Sequence, residues 1–272
     1  MVTYDYNYFT DELPYVIYER SVAKPIIEQI HMHDFHEIFM LLEGNMDYYV
    51  EGTKFPLEIG DIVVIGGGQP HRKLLAAKEP YKCFVAFFYH DFFKNADYAQ
   101  YEQIFTRRFY TEHKISASAA KASGFYDSYL RLADYTKDFS KTNTPIARLA
   151  LAESLYHLNN SSFSDKYVSN DHVIQILDYI DNNFTRKISL DGIAKRLFLS
   201  KYYICKIFKK HTGISINAYI TSKRLKYTNY LISKNKNITT ACIEAGFSDY
   251  SSFYKAQRSH SALLNTNVND IT

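Results

Sequence analysis

The sequence contains no tryptophan, and its three cysteines, Cys83, Cys205 and Cys242, are odd in number and far apart. That excludes a disulfide framework and a zinc knuckle, both of which need paired cysteines at short spacings, and it suits a reducing compartment. No window of about 18 apolar residues occurs, the length a membrane-spanning helix needs, and Met1 to Arg20 is polar and acidic without the apolar core of a signal peptide. A soluble, cytoplasmic protein with no membrane partner is therefore expected. What the chain has in quantity is tyrosine (25) and phenylalanine (19). Of its 272 residues 46% are hydrophobic and 22% charged, so one large or two ordinary domains can bury a core without cross-links.

The net charge of +3 hides an asymmetry. Residues 1–166 hold 17 Lys+Arg against 22 Asp+Glu, net −5, whereas 167–272 hold 15 against 7, net +8. A compact basic module is what a polyanion partner requires, because each phosphate it neutralises releases condensed counterions. A solvated basic surface is the ordinary alternative, and charge alone does not choose between them.

Texture changes along the chain as well. From Pro14 to about Phe93, short apolar runs (Ile38 to Leu42, Met46 to Val50, Ile62 to Ile65, Cys83 to Tyr89) alternate with turns such as Glu43-Gly44-Asn45 and Glu51-Gly52. Brief strands with glycine-containing turns read as an antiparallel sandwich or barrel. From Tyr98 onward the pattern is helical. Thr142 to Pro145 forms a turn, Ile146, Leu149, Leu151, Leu155 and Leu158 form a helical stripe, and Asn159 to Ser164 is the candidate linker.

The basic half holds a degenerate repeat. One copy runs from Ile188 through Ala194 and Ser200 into Lys201 to Lys210, and the other from Ile238 through Cys242 and Gly246-Phe247-Ser248-Asp249 into Tyr250 to Lys255. Each reads as a short helix carrying a small residue, a turn and a second helix, the pattern of a helix-turn-helix. In the first copy Ile204, Ile207 and Phe208 lie at i, i+3 and i+4, which leaves Lys201, Tyr202, Cys205, Lys206 and Lys209 on the opposite, basic face. Such a face suits a DNA major groove, with long donors at base edges and lysines on phosphate. A helix from about Asn217 to Ser233, about 25 Å long at 1.5 Å per residue, separates the copies, and a duplex presents its major groove again after about 34 Å.

The stretch from about Asp171 to Lys255 resembles the DNA-binding domain of the AraC/XylS family of bacterial transcription regulators. Ser200 to Gly213 with Phe208-Lys209-Lys210, Tyr219-Ile220, Arg224-Leu225, Gly246 to Asp249 and Ser252-Phe253 carry the resemblance. It implies that Tyr202, Cys205 and Lys206 in the first copy, and Tyr250, Ser251 and Lys255 in the second, read DNA. The pattern departs at its end, where Gln257 stands at the expected core phenylalanine. A buried amide there would cost a few kcal/mol, so a final helix that is short, frayed or repacked on Leu263 and Leu264 is expected, with a second unit that binds DNA weakly.

In the acidic half, His31-Met32-His33-Asp34-Phe35-His36-Glu37 precedes Gly44, and Gly60 precedes Gly66 to Gln69, Pro70 and His71. Alternation along a strand sends His31 and His33 to one side and His36 to the other, toward the surface or rim. The spacing resembles the two motifs of the cupin superfamily, which implies His31, His33, Glu37 and His71 as a divalent metal set. Gly66 at the usual proline and the missing asparagine after His71 weaken that implication, so no cofactor is expected, and a divalent metal at those four residues is the alternative. The same residues with Phe39 and Tyr48, and with Tyr49 and Phe87 as further walls, would line an effector pocket for a small polar molecule, a sugar among the candidates.

The expected fold is a two-domain α+β chain. It has a cupin-like β-barrel (1–115), a helical dimerisation segment (116–165) and an all-α double helix-turn-helix (166–272). The expected function is a sequence-specific, effector-controlled, homodimeric transcription regulator that is not an enzyme. Its partners are double-stranded promoter DNA and, if it activates, RNA polymerase. The rival is a metal-dependent cupin enzyme with an accessory helical domain, and a third reading is a ligand-independent activator whose barrel serves only to oligomerise.

Overall fold

The computed structural model describes residues 15–22, 30–33, 35–75, 80–106, 113–137, 144–163, 170–233 and 235–269. The expected domain boundary at 165/166 and the Thr142-Asn143 turn lie outside the described residues. Two compact units separate by their internal contacts, and residues 30–33 and 51–53 group with the second. Among the described residues no helix is long and apolar enough to cross a membrane.

Among the described residues the first unit holds eight strands in two sheets. The five-stranded sheet has the order β1-β7-β2-β5-β8, and the three-stranded sheet the order β4-β3-β6. The strands are β1 (Tyr15–Val22), β2 (His36–Glu43), β3 (Met46–Val50), β4 (Thr53–Leu57), β5 (Ile62–Ile65), β6 (His71–Leu75), β7 (Tyr81–Phe88) and β8 (Lys114–Ile115). β2 is central and antiparallel to both neighbours, with Phe39 opposite Val63 of β5 and Val85 of β7. Its side chains divide by parity. Ile38 and Met40 join Phe84, Ala86 and Phe88 in one core. Phe39 and Leu41 join Tyr48, Val63, Cys83 and Val85 in another, between the sheets. A strand covered on both faces carries a continuous apolar run instead of alternation, which is why this run was so visible in the sequence.

The first of those cores is roofed by helices α2 (Ala117–Ser123), α3 (Phe125–Tyr135) and α4 (Pro145–Asn159), through Phe125, Tyr129, Leu132, Leu151, Leu155 and Leu158. The short α1 (Gln103–Thr106) adds Ile104 and Phe105. Tyr129 donates its hydroxyl to the Ile38 carbonyl at 3.0 Å, and burial pushes that phenol well above its ordinary pKa. α4 begins as its sequence foretells, with the Thr144 hydroxyl accepting from Ala147 N–H and Pro145 in the first turn. Its stripe differs from expectation. The buried face is Ala147, Ala150, Leu151, Ser154, Leu155 and Leu158, while Ile146 and Leu149 are 50% and 67% exposed. The expected stripe merges two faces, because the small residues Ala147, Ala150 and Ser154 make up half of the true one.

His36 is a second correction. It is buried, stacked 4.7 Å from the Phe105 ring, and accepts through Nδ1 from Gly67 N–H at 3.0 Å. It does point away from the inter-sheet face, but that side of β2 lies under the helical layer and not in water.

The second unit comprises α5 (Asp171–Asn183), α6 (Leu190–Leu197), α7 (Lys201–Thr212), α8 (Ile216–Ser233), α9 (Ile238–Glu244) and α10 (Tyr250–Asn269). Polar caps open the helices of both copies: Ser189, Ser200 and Asn237 accept from backbone N–H groups of α6, α7 and α9, and Asp249 from Ser252 of α10. The close-crossing residues Ala194 and Cys242 are buried, as expected. The last helix departs from expectation. Its backbone stays helical to Asn269, so it is not short, and Gln257 is exposed, so no buried amide arises. The side chains of Leu263 and Leu264 lie outside the described residues.

An ion pair locks the edge of the large sheet. Lys114 of β8 sits 2.5 Å from Asp61 and also donates to the Pro56 carbonyl, while Asp61 accepts from the N–H groups of Glu58 and Ala117. Both side chains are more than nine-tenths buried. Replacing Asp61 by Ala strands the ammonium in the interior and is expected to lower stability by about 3–5 kcal/mol. Urea unfolding of the full chain measures it, and a loss under about 1 kcal/mol would show that the pair carries no such burden.

Candidate nucleic-acid interface and barrel interior

α7 presents the face its periodicity foretold. Ile204, Ile207 and Phe208 are buried, and the Phe208 ring meets Tyr219 edge-on at 5.6 Å. Lys201, Tyr202, Lys206 and Lys209 are exposed and Cys205 is half-buried. Tyr202 is 75% exposed, with the Lys206 ammonium 5.8 Å from its ring centre. Tyr202, Cys205, Lys206, Lys209 and Lys210 together line a shallow hollow of about 440 Å³. Lys201 pairs with Asp191 at 2.7 Å, an exposed contact of little energetic weight that a phosphate could displace.

α10 is built alike but less cationic. Tyr250, Ser251 and Lys255 are exposed, Phe253 is buried against Phe247, and Tyr254 stacks on Tyr250 at 6.2 Å. The sequence reading missed Tyr254. Its i+4 spacing from Tyr250 was the available signal, since residues four apart share a helix face. Asp249 accepts from the Ser252 N–H and from the Ser248 hydroxyl, which holds its carboxyl below the usual range.

A half-buried clasp ties α8 to the end of α5. Arg224 of α8 donates through Nε to the Phe184 carbonyl (2.7 Å) and through a terminal nitrogen to the Arg186 carbonyl (2.8 Å), both just past the end of α5. Gly246, in the turn before α10, has φ +96°, and a Cβ there would lie 2.9 Å from Arg224 Nε and 2.8 Å from the Thr185 carbonyl oxygen. Only glycine admits both that backbone and that approach. Partial burial pushes the guanidinium pKa down from its ordinary value, and an arginine stays charged at neutral pH.

In the first unit Glu37, Phe39, Tyr48 and His71 come together between the sheets. Tyr48 donates to Glu37 Oε1 at 3.0 Å, and His71 Nε2 lies 3.5 Å from Glu37 Oε2. The Gln69 carbonyl, 2.8 Å from His71 Nδ1, can only accept, so Nδ1 carries the proton of the neutral ring. Nε2 then turns a lone pair toward a carboxylate, an arrangement that attracts once a second proton or a divalent cation sits on Nε2. Phe39 meets Tyr48 edge-on at 5.1 Å, and Tyr48 stacks on His71 at 6.2 Å. Lys73, absent from the sequence-derived set, is buried here with its ammonium 5.3 Å from the Phe39 ring and 5.9 Å from that of Tyr48. Alternation along β6 gives it the same side as His71, and it pairs in register with Tyr48. His31 and His33 group with the second unit, their rings 6.1 Å apart. Tyr48→Phe leaves one Glu37 oxygen without this donor and is expected to cost about 1.5–3 kcal/mol, read from denaturant midpoints at unchanged slope. No shift would mean that Glu37 is held by its other contacts alone.

Residues 193–264 match the family model of a helix-turn-helix domain, and residues 24–87 that of a cupin domain. The chain is 36% identical over 107 residues to the Msm operon regulatory protein of Streptococcus mutans, covering 39% of this chain and 37% of that protein. It is 34% identical over 83 residues to the regulatory protein PocR of Salmonella typhimurium, covering 30% and 27%. The chain thus spans about a third of the length of these relatives. A crystal structure of ToxT from Vibrio cholerae aligns over 91% of this chain and 95% of its own, at 12% identity and a TM-score of 0.39.

Proposed function

We propose that this chain, which carries the cupin and helix-turn-helix modules of the AraC/XylS family, is a sequence-specific DNA-binding transcription regulator and not an enzyme. One observation carries the reading: two similar helices, α7 and α10, one before and one after the 18-residue α8 in the chain, each turn a face with tyrosine and lysine to solvent. At 1.5 Å per residue α8 spans about 27 Å, the scale of the roughly 34 Å turn after which a duplex presents its major groove again. Lys201, Tyr202, Cys205, Lys206 and Lys209 meet the groove in the first half-site, and Tyr250, Ser251 and Lys255 in the second. The lysines supply the sequence-independent grip, and the tyrosines and Lys206 the readout.

The interior of the first unit is where an effector acts. Glu37, Tyr48, His71 and Lys73, beside Phe39, offer an acid, a phenol, an imidazole and an ammonium to a small polar ligand such as a sugar. Control requires that the ligand favour one of two states of the protein, since equal affinity for both would shift nothing. A second copy of the chain packs on α4, where Ile146, Leu149 and Tyr156 stand exposed at i, i+3 and i+10. Cytoplasmic location, and contact with RNA polymerase if the protein activates, follow from the same reading.

Selection of duplexes from a random-sequence library by the purified chain should return one motif, bound with an affinity that drops steeply between about 50 and 200 mM salt. Lys206→Ala should weaken that binding about tenfold, within the usual range for a single base or phosphate contact. Affinity flat across the salt range removes the proposal. In sedimentation, Leu149→Glu is expected to turn a dimer into a monomer, and an unaltered sedimentation coefficient would place the second copy elsewhere.

A further inference from the structure

Phe198 closes α6 with φ 55° and ψ 36°, in the left-handed region that bulky L residues rarely occupy. α7 ends in the same region with Gly213, φ 77°, which has no side chain to strain. Hydrogen bonds hold the backbone at 198: its N–H points to the Ala194 and Lys195 carbonyls, and Leu199 N–H donates to the Ala194 carbonyl at 3.0 Å. The phenyl ring gains nothing from the protein in return, being 96% exposed. A strained residue whose side chain packs against nothing in its own fold is a candidate for a contact outside it.

The surroundings say what that contact is. Lys195 and Arg196 precede Phe198 and Lys201 and Tyr202 follow it, all exposed. Ser200, two residues on, is the N-cap of α7, and the N-terminal end of a recognition helix is the part that approaches base edges. The cations select a polyanion, and the ring selects within it. Among the groups that base pairs present in the major groove, the apolar one is the thymine 5-methyl. We infer that Phe198 is a specificity-determining residue which packs its ring on the 5-methyl of one thymine at the edge of the site read by α7. The inference rests on the DNA-binding reading above and adds to it a base identity and a residue outside both recognition helices.

The probe is the duplex recovered by selection on the full wild-type chain, with each thymine replaced in turn by deoxyuridine, which removes only the methyl. Wild type should lose about fourfold at one position, the factor that about 0.8 kcal/mol per buried carbon corresponds to. Phe198→Gly should bind the unmodified duplex at least about fourfold more weakly and be indifferent to that uracil, while Phe198→Leu keeps part of the sensitivity. The thermal midpoint of Phe198→Gly should hold or rise, because glycine suits the left-handed backbone. A merely structural ring would instead lower it. If no uracil position weakens the wild type, or if Phe198→Gly keeps the same uracil pattern, the inference is overturned while salt-dependent binding stands. An affinity untouched by Phe198→Gly would assign the ring to a protein partner and likewise overturn it. Absence of any salt-dependent duplex binding would remove the underlying reading and the inference together.

Discussion

The second unit depends on one guanidinium. Arg224 spends its planar fork on two carbonyls that α5 leaves open at its end, and its other flank admits the Gly246 backbone so closely that no Cβ fits between. Three pieces of chain distant in sequence, the close of α5, the middle of α8 and the turn before α10, are thereby held together. A lysine would bring a point charge without the fork and could not serve both carbonyls in one plane. The joint therefore orders the turn before α10 with respect to the end of α5.

The first unit obeys a different constraint, since its central sheet is covered on both faces. Every side chain of β2 from His36 to Leu41 is buried, whichever way it points. That placement makes Glu37 a carboxylate between two sheets, stabilised by Tyr48 and near His71, and makes His36 a packing residue under Phe105. Sequence alternation told the two histidines' directions apart, but it could not tell that both directions led inward, because the cover over His36 comes from α1 and the helical layer far along the chain.

Legibility in the sequence followed locality. The exposed basic face of α7 could be read residue by residue, because its buried stripe of Ile204, Ile207 and Phe208 is large and apolar. The face of α4 could not, because Ala147 and Ala150 bury without announcing themselves while the bulky Leu149 stands outside. Lys73 went unnoticed because lysine reads as a surface residue until the register with Tyr48 draws it inside. The strand β8, two residues long and in a stretch that otherwise reads as helical, had no pattern of its own to show. Phe198 could be found only from its backbone, for nothing in the residue type says that it is held left-handed.

The way the sheets are strung has a consequence for how the chain acquires its structure. Tyr15 pairs with Phe88 and His36 with the same residue from the other side, so the large sheet is stitched from partners remote in sequence, each closing a long loop before any apolar gain is collected. The helices of the basic half pack mostly on near neighbours along the chain, with the Arg224 clasp as a longer closure back to the end of α5. Contacts of the second kind form fast and those of the first kind slowly. The half made later on the ribosome is thus the one whose own topology favours fast maturation, while the sheet is still finding its strands.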